Sequence, residues 1–282
     1  MSHHSIQHSP IFLLGVGRSG TTLLRMMLDS HPEIMCGSEA PWITNQVIDG
    51  FPSLRELTQY LIKHKWGPVN GLTGVNEDII YQQMALFIDG IMSTAAQSYG
   101  KTRWADKTPR NIIAVPFLYR LFPHAKFIHL FRDGRDVALS TKAAPWKTIP
   151  YRSNKVKNTY GNALKRWVDW IETFHIDAKA LKLTYLPVRY EDLVCSPKSE
   201  IQKILDFIEV EWSDQVLNPY KFEHDTVEGE GRKSFYLRQS IDTQALYRWK
   251  KELNWFERRS TKAIGEETLL KLGYESTESA KI

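Results

Sequence analysis

Three short apolar runs punctuate the chain: "IFLL" (11–14), "KFIHLF" (126–131) and "YLPVRY" (185–190). Continuous rather than alternating apolarity marks strands buried on both faces of a parallel sheet. Each run leads into helical periodicity. After the first, Leu23, Leu24, Met27 and Leu28 share one face of a helix that Pro32 helps to stop. After the second, "RDGRDVALS" opens a helix. After the third, Ser196 and Pro197 stand as N-cap and first residue of a helix running to about Ile208. Over 157–175, Tyr160, Leu164, Trp167, Ile171 and Phe174 recur at helical spacing. Strands separated by helices predict an α/β fold, a central parallel sheet flanked by helices on both faces.

The intervening stretches are less regular. Residues 41–100 follow the first helix as a long insertion, with a turn at "NGLTG" (70–74), and are expected to carry acceptor contacts. Residues 212–240 are polar and weakly periodic, which predicts a loop folded over the site. Helical patterns at 241–254 and 257–272 close the chain. "MSHHSIQHSP" has no signal-peptide core and predicts a disordered leader over 1–9, with His3, His4 and His8 read as no metal site. A single domain over 10–275 and a short tail over 276–282 follow, with no repeat or linker.

Composition narrows the chemistry. A net charge of +5 and a pI of about 9.0 favour an anionic ligand, but no Lys/Arg block marks a nucleic-acid footprint. Only Cys36 and Cys195 are present, too few for a disulfide framework, and the expected location is cytoplasmic. No apolar stretch approaches the roughly 20 residues that span a bilayer. Nine tryptophans are read mostly as core. Trp42, Trp66 and Trp146 are the exceptions, in segments expected to wall an acceptor pocket.

The sharpest signal is "GVGRSGTTLLRMML" (15–28), directly after the first strand. A glycine loop between strand and helix presents backbone N–H groups and a helix dipole to an anion. The phosphate-binding pattern G-x-x-x-x-G-K-[ST] is met by Gly15, Gly20 and Thr22, but Thr21 stands in the lysine slot and Arg18 lies within the loop. No hydrophobic strand ends in an obvious metal-binding Asp. Amides, hydroxyls and an arginine suit an anion bound without metal. A metal-dependent kinase or NTPase and a non-catalytic nucleotide-binding module are the rival readings.

"RSGTTLLRMMLDSHPEIMCGSE" (18–39) resembles the 5′-phosphosulfate loop of PAPS-dependent sulfotransferases, PAPS being 3′-phosphoadenosine 5′-phosphosulfate. The similarity continues in family order through "ADKTPRN", "RLFPHAKFIHLFRDGRDVALS", "LPVRYEDLV", "ILDFIEVEWSDQVL" and "LYRW". Among such enzymes it is nearest to the tyrosylprotein sulfotransferases. The resemblance implies a P-loop-containing sulfotransferase fold and transfer of a sulfuryl group from PAPS to a hydroxyl. PAP, adenosine 3′,5′-bisphosphate, would be released, with no metal.

By the same resemblance, Arg18, Ser19, Gly20, Thr21 and Thr22 grip the 5′-phosphosulfate, with Arg18 also catalytic. Arg132 and Ser140 contact the 3′-phosphate, Glu39 is the general base, and Lys107 stands near the bridging oxygen. Tyr190 lies near adenine, and Arg238 is chosen over Lys233 and Ser234 to close over the donor. The bland alternatives are a solvated turn for "RDGRD", a helix-capping surface Glu39, a surface Lys107 and a core Tyr190. Asp29 and Glu33 are read as helix-end solvation.

Two departures stand out. Pro41 replaces the arginine with which tyrosylprotein enzymes read acidic peptide, and Ala105 replaces the cysteine that would pair with the counterpart of Cys36. The acceptor is therefore open among small molecules, glycans or lipids, and peptide tyrosine, with a small hydroxylated compound or glycan preferred. Relatives often dimerise, but the sequence shows no interface signature.

Overall fold

The computed structural model describes residues 8–44, 52–63, 76–151, 154–224 and 243–278. Its strands are β1 (Ile11–Leu14), β2 (Ile34–Met35), β3 (Arg103–Asp106), β4 (Lys126–Phe131), β5 (Thr148–Tyr151), β6 (Asn154–Lys157) and β7 (Tyr185–Arg189). Five form one sheet in the order β2-β3-β1-β4-β7, and every neighbouring pair is parallel. The other two, β5 and β6, pair antiparallel as a separate ribbon.

Strand parity explains the continuous apolar runs. Ile11, Leu13, Ile128 and Leu130 face one cluster with Leu24, Met27 and Leu28 of helix Thr21–Asp29 and Ile201, Ile204 and Leu205 of helix Pro197–Ile208. Phe12, Leu14 and Phe127 face the other, with Leu118, Trp167, Ile171 and Phe174. Phe12 stacks on Phe127 at 5.5 Å and meets Trp104 edge-on at 5.8 Å. A strand covered on both sides has no solvent face, so neither parity is polar.

Several elements differ from the sequence reading. β2 is only two residues long, below the reach of any periodicity. β3 reads "RWAD", yet all four residues are buried. Arg103 belongs there because its guanidinium donates to the carbonyl of Ile208 at 2.6 Å, at the end of helix Pro197–Ile208. Tyr190 does not end β7 but begins helix Tyr190–Cys195. Helix Tyr160–Leu181 outruns the expected 157–175, ending where Lys182 turns left-handed at φ 50°. Pro197 does start its helix, but the Ser196 side chain makes no capping bond.

The stretch 41–100 contains helices Pro41–Thr44, Leu54–Lys63 and Glu77–Ser98, and its "NGLTG" turn lies outside the described residues. Of 212–240, the described part holds the 3₁₀ turns Asp214–Leu217 and Pro219–Lys221. The closing patterns resolve into Trp249–Glu252, Trp255–Ile264 and Glu266–Lys271, the second opened by an Asn254/Glu257 capping box. Glu266 also accepts from Ser276 and Thr277, which fastens residues beyond the expected boundary at 275. No helix among the described residues is long and apolar enough to cross a membrane.

One buried group sets an acid sensitivity. His129, on β4, lies 4.2 Å from the Phe174 ring, and its Nε2 finds no partner among the described residues. Burial, reinforced by His175, pushes its pKa down to about 3. The folded state therefore keeps His129 neutral while the unfolded chain takes up a proton below about pH 6.5. Its contribution holds above that pH and is lost as pH falls toward 3. Asp106 and Asp136, raised to about 6 by burial, act in the opposite sense, so the comparison must be differential. Relative to wild type, His129→Phe should lose about 2 kcal/mol less stability between pH 7.5 and pH 5. Urea unfolding at the two pH values measures this, and parallel losses in both proteins would remove His129 as the cause.

Candidate active site

All strands of the main sheet run the same way, so their carboxyl ends open on one edge. The chain leaves β1 toward one side of the sheet and β4 toward the other, which leaves a crevice between them. The sequence-predicted residues follow those ends. The Gly15–Gly20 loop follows β1, Glu39 comes after β2, Lys107 follows β3, Arg132 follows β4 and Tyr190 follows β7.

The loop is held by its own backbone. Arg18 and Gly20 have φ of 82° and 94°. The Ser19 N–H donates to the Val16 carbonyl at 3.0 Å, and the Gly20 carbonyl accepts from Leu23 and Leu24 to start the helix. The first amides of that helix are left without intrahelical acceptors. A Cβ on Gly20 would lie 2.2 Å from the Tyr190 ring, and one on Gly15 would lie 2.6 Å from the Leu130 carbonyl oxygen. Both glycines are therefore fixed by close approach. Tyr190 is buried in a core cluster, with its ring packed against Gly20 of the loop.

Arg132 and Ser140 converge with Arg18. Arg132 donates to the Arg18 carbonyl at 3.2 Å and to the Ala245 carbonyl, with its guanidinium 4.6 Å from the Tyr190 ring centroid. Ser140, in helix Gly134–Lys142, accepts from Arg18 Nε at 2.9 Å. Burial and the neighbouring guanidinium groups of Arg132 and Arg248 lower the Arg18 pKa below the ordinary arginine value. That grouping of cations is what an anion would relieve. Ser19 Oγ and Arg132 Nε are buried with no partner among the described residues. Trp146, 45% exposed, sits 5.9 Å from the Arg18 guanidinium.

"RDGRD" is a buried network and not a solvated turn. Asp133 caps the helix through the Arg135 N–H and holds the Arg135 guanidinium at 2.8 and 2.9 Å. Glu191 accepts from the Asp133 N–H and from the Tyr274 hydroxyl, each at 3.0 Å. Asp136 accepts from the Trp249 N–H at 2.9 Å and lies 3.9 Å from Arg132. Burial raises the Asp136 pKa to about 6, against the pull of Arg132.

Lys107 Nζ donates to Glu39 Oε1 at 2.8 Å. The lysine side chain is 2% exposed and the glutamate 41%, so a buried ammonium pairs with a partly exposed carboxylate. Lys107 is therefore not a surface lysine. Asp29 also escapes the role of helix-end solvation: it accepts from the Cys36 N–H at 2.9 Å and contacts His224 Nδ1 at 2.6 Å. Cys36 is buried and free, Cys195 is exposed and free, and buried Ala105 shares the Cys36 cluster.

One buried carboxylate at this edge is not apparent from the sequence. Asp106 ends β3 and is bonded to Thr108 and Asn111, yet "RWAD" carries no strand signal that would have placed it. Arg238, Lys233, Ser234 and Trp66 lie outside the described residues.

Comparison with known proteins gives the family and the fold. The family model described as "Sulfotransferase family" matches residues 10–214. Protein-tyrosine sulfotransferase 1 of Danio rerio is 27% identical over 274 residues, covering 94% of this chain and 72% of the relative. The Drosophila melanogaster protein-tyrosine sulfotransferase is 29% identical, but only 40% of its length is covered. In fold, the sulfotransferase domain of the Synechococcus PCC 7002 olefin synthase aligns with a TM-score of 0.63 at 22% identity, over 95% of this chain and 96% of that one. The matched span takes in every strand of the main sheet and the residue that follows each, and on that ground the chain belongs to the sulfotransferase family.

Proposed function

We propose that this chain transfers a sulfuryl group from PAPS to a hydroxyl acceptor, with Glu39 as general base. The observation that carries this reading is the Glu39–Lys107 pair at 2.8 Å, set on the same edge as the Gly15–Gly20 loop and Arg132. PAPS would supply an electrophilic sulfur on a good leaving group. The residues present fit such a polyanion: the first helix amides, the orphan Ser19 Oγ, the orphan Arg132 Nε and a loop whose two glycines pack closely on Leu130 and Tyr190.

Each residue has a definable task. The Glu39 carboxylate takes the acceptor's hydroxyl proton as the new oxygen–sulfur bond forms. The Lys107 ammonium offsets charge on the phosphate oxygen released when the old oxygen–sulfur bond breaks. Arg132 and Ser140 hold the 3′-phosphate, while Arg18, Ser19, Gly20, Thr21 and Thr22 hold the phosphosulfate. The acceptor is a small hydroxylated compound or glycan, with the exposed Trp146 as one wall. Pro41 supplies none of the cationic contacts that an acidic peptide would need. The two unpaired cysteines fit a reducing, cytoplasmic setting.

A metal-dependent kinase fits less well. Asp106 ends β3 beside β1, where a metal-binding carboxylate could stand. Its oxygens, however, accept from Thr108 at 2.8 Å, from Asn111 and from the Ala40 N–H at 3.4 Å. Calorimetry separates the readings. PAP should bind tightly and equally with or without Mg²⁺, and 5′-AMP weakly. Preference for ATP with Mg²⁺ would overturn the sulfotransferase assignment of the site.

A further inference from the structure

Asp106 and Thr108 flank Lys107 in "ADKTP", and no step above uses either. All three residues are buried, at 1% exposure each. Thr108 Oγ1 accepts the N–H of Ala40 at 2.9 Å and donates to Asp106 Oδ1 at 2.8 Å. Asn111 Nδ2 donates to Asp106 Oδ2, and Asn111 Oδ1 accepts the Thr44 hydroxyl. One buried carboxylate thus fastens both ends of the segment Ala40–Thr44, and that segment begins at the residue after Glu39.

We propose that Thr108 is a positioning residue for Glu39: anchored by Asp106, it pins the Ala40 peptide to the end of β3, so that the Glu39 carboxylate meets Lys107. The geometry leaves Thr108 little other work. Its hydroxyl is one short relay, with one bond accepted and one donated, and a fixed peptide leaves Glu39 only its side-chain torsions. Since Lys107 projects from the same strand end, one clamp sets both members of the pair. Without the Thr108 hydroxyl, the Ala40 N–H loses its 2.9 Å acceptor and keeps only the 3.4 Å contact to Asp106. Glu39 would then sample positions away from Lys107. A 1 Å misplacement of a reacting group is enough to cost rate without costing binding.

The inference rests on the proposed role of Glu39, so the test carries that role as a separate arm. Thr108→Val keeps the shape and removes both bonds, and Thr108→Ser restores the hydroxyl. Crystal structures of the two variants should show Glu39 moved beyond hydrogen-bond reach of Lys107 in Thr108→Val and returned in Thr108→Ser. Release of PAP from PAPS should fall about tenfold in Thr108→Val and recover in Thr108→Ser, while PAP affinity by calorimetry is unchanged. In a Glu39→Gln background, Thr108→Val should add no further loss, because its effect runs through Glu39.

Three results overturn the inference: Glu39 still within hydrogen-bond reach of Lys107 in the Thr108→Val structure, an undiminished rate in Thr108→Val, or an equal further loss in the Glu39→Gln background. A wild-type rate in Glu39→Gln alone would instead overturn the proposed base.

Discussion

Glu39→Gln should lower sulfuryl transfer by about 10²-fold or more while leaving PAP affinity within about twofold. Glutamine preserves the shape and an oxygen able to accept from Lys107 at the observed 2.8 Å, so the pair stays hydrogen-bonded and the crevice keeps its form. The substitution removes the capacity to take a proton. A loss of that size is about 2.7 kcal/mol in the barrier, the low end of what general base catalysis contributes. Glu39 is suited to the task by its position: partly exposed, it can reach an acceptor, while buried Lys107 holds it from behind. The measurement is kcat for PAP release alongside calorimetric PAP binding. A fall in affinity equal to the fall in rate would mean that Glu39 serves the nucleotide, and an undiminished rate would remove it from the chemistry.

The parts of this site legible in the sequence were those fixed by local backbone physics. Gly15 and Gly20 are required wherever a strand turns tightly into an anion-binding helix, and the contacts to Leu130 and Tyr190 give each a steric reason. The apolar runs of β1 and β4 announced a sheet covered on both faces because both parities of each strand are buried. β2 and β3 were not legible. β2 is too short to have a period, and β3 hides an arginine whose partner is the distant Ile208 carbonyl and an aspartate bonded to Thr108 and Asn111 just beyond the strand. Missing β3 had a consequence at the site: Asp106 went unread at a strand end, and with it the clamp on Ala40. "RDGRD" shows the same limit from another side. Its charges look like surface in one dimension, but in the interior Arg135 pairs with Asp133 and lies over the Trp249 ring, and Asp136 accepts from the Trp249 N–H, far along the chain.

Arg132→Ala should weaken PAP binding by about 10²-fold or more and erase most of the preference for PAP over 5′-AMP. Hydrogen bonds to charged groups contribute about 1.5–3 kcal/mol, and the substitution removes those that the guanidinium would make to the 3′-phosphate. It also removes the cation 3.9 Å from Asp136, whose carboxyl burial already raises to about 6, so Asp136 should protonate at still higher pH. The guanidinium is also the piece that joins the two halves of the crevice: it donates to the Arg18 carbonyl, lies over the Tyr190 ring and reaches the Ala245 carbonyl. Arg132→Lys separates charge from shape. An ammonium restores the positive charge but cannot make several directed bonds in one plane, so it should recover only part of the lost affinity. Calorimetry with PAP and 5′-AMP on both variants reads this directly. If Arg132→Ala loses affinity for the two nucleotides equally, Arg132 holds the loop in shape and the 3′-phosphate is bound elsewhere.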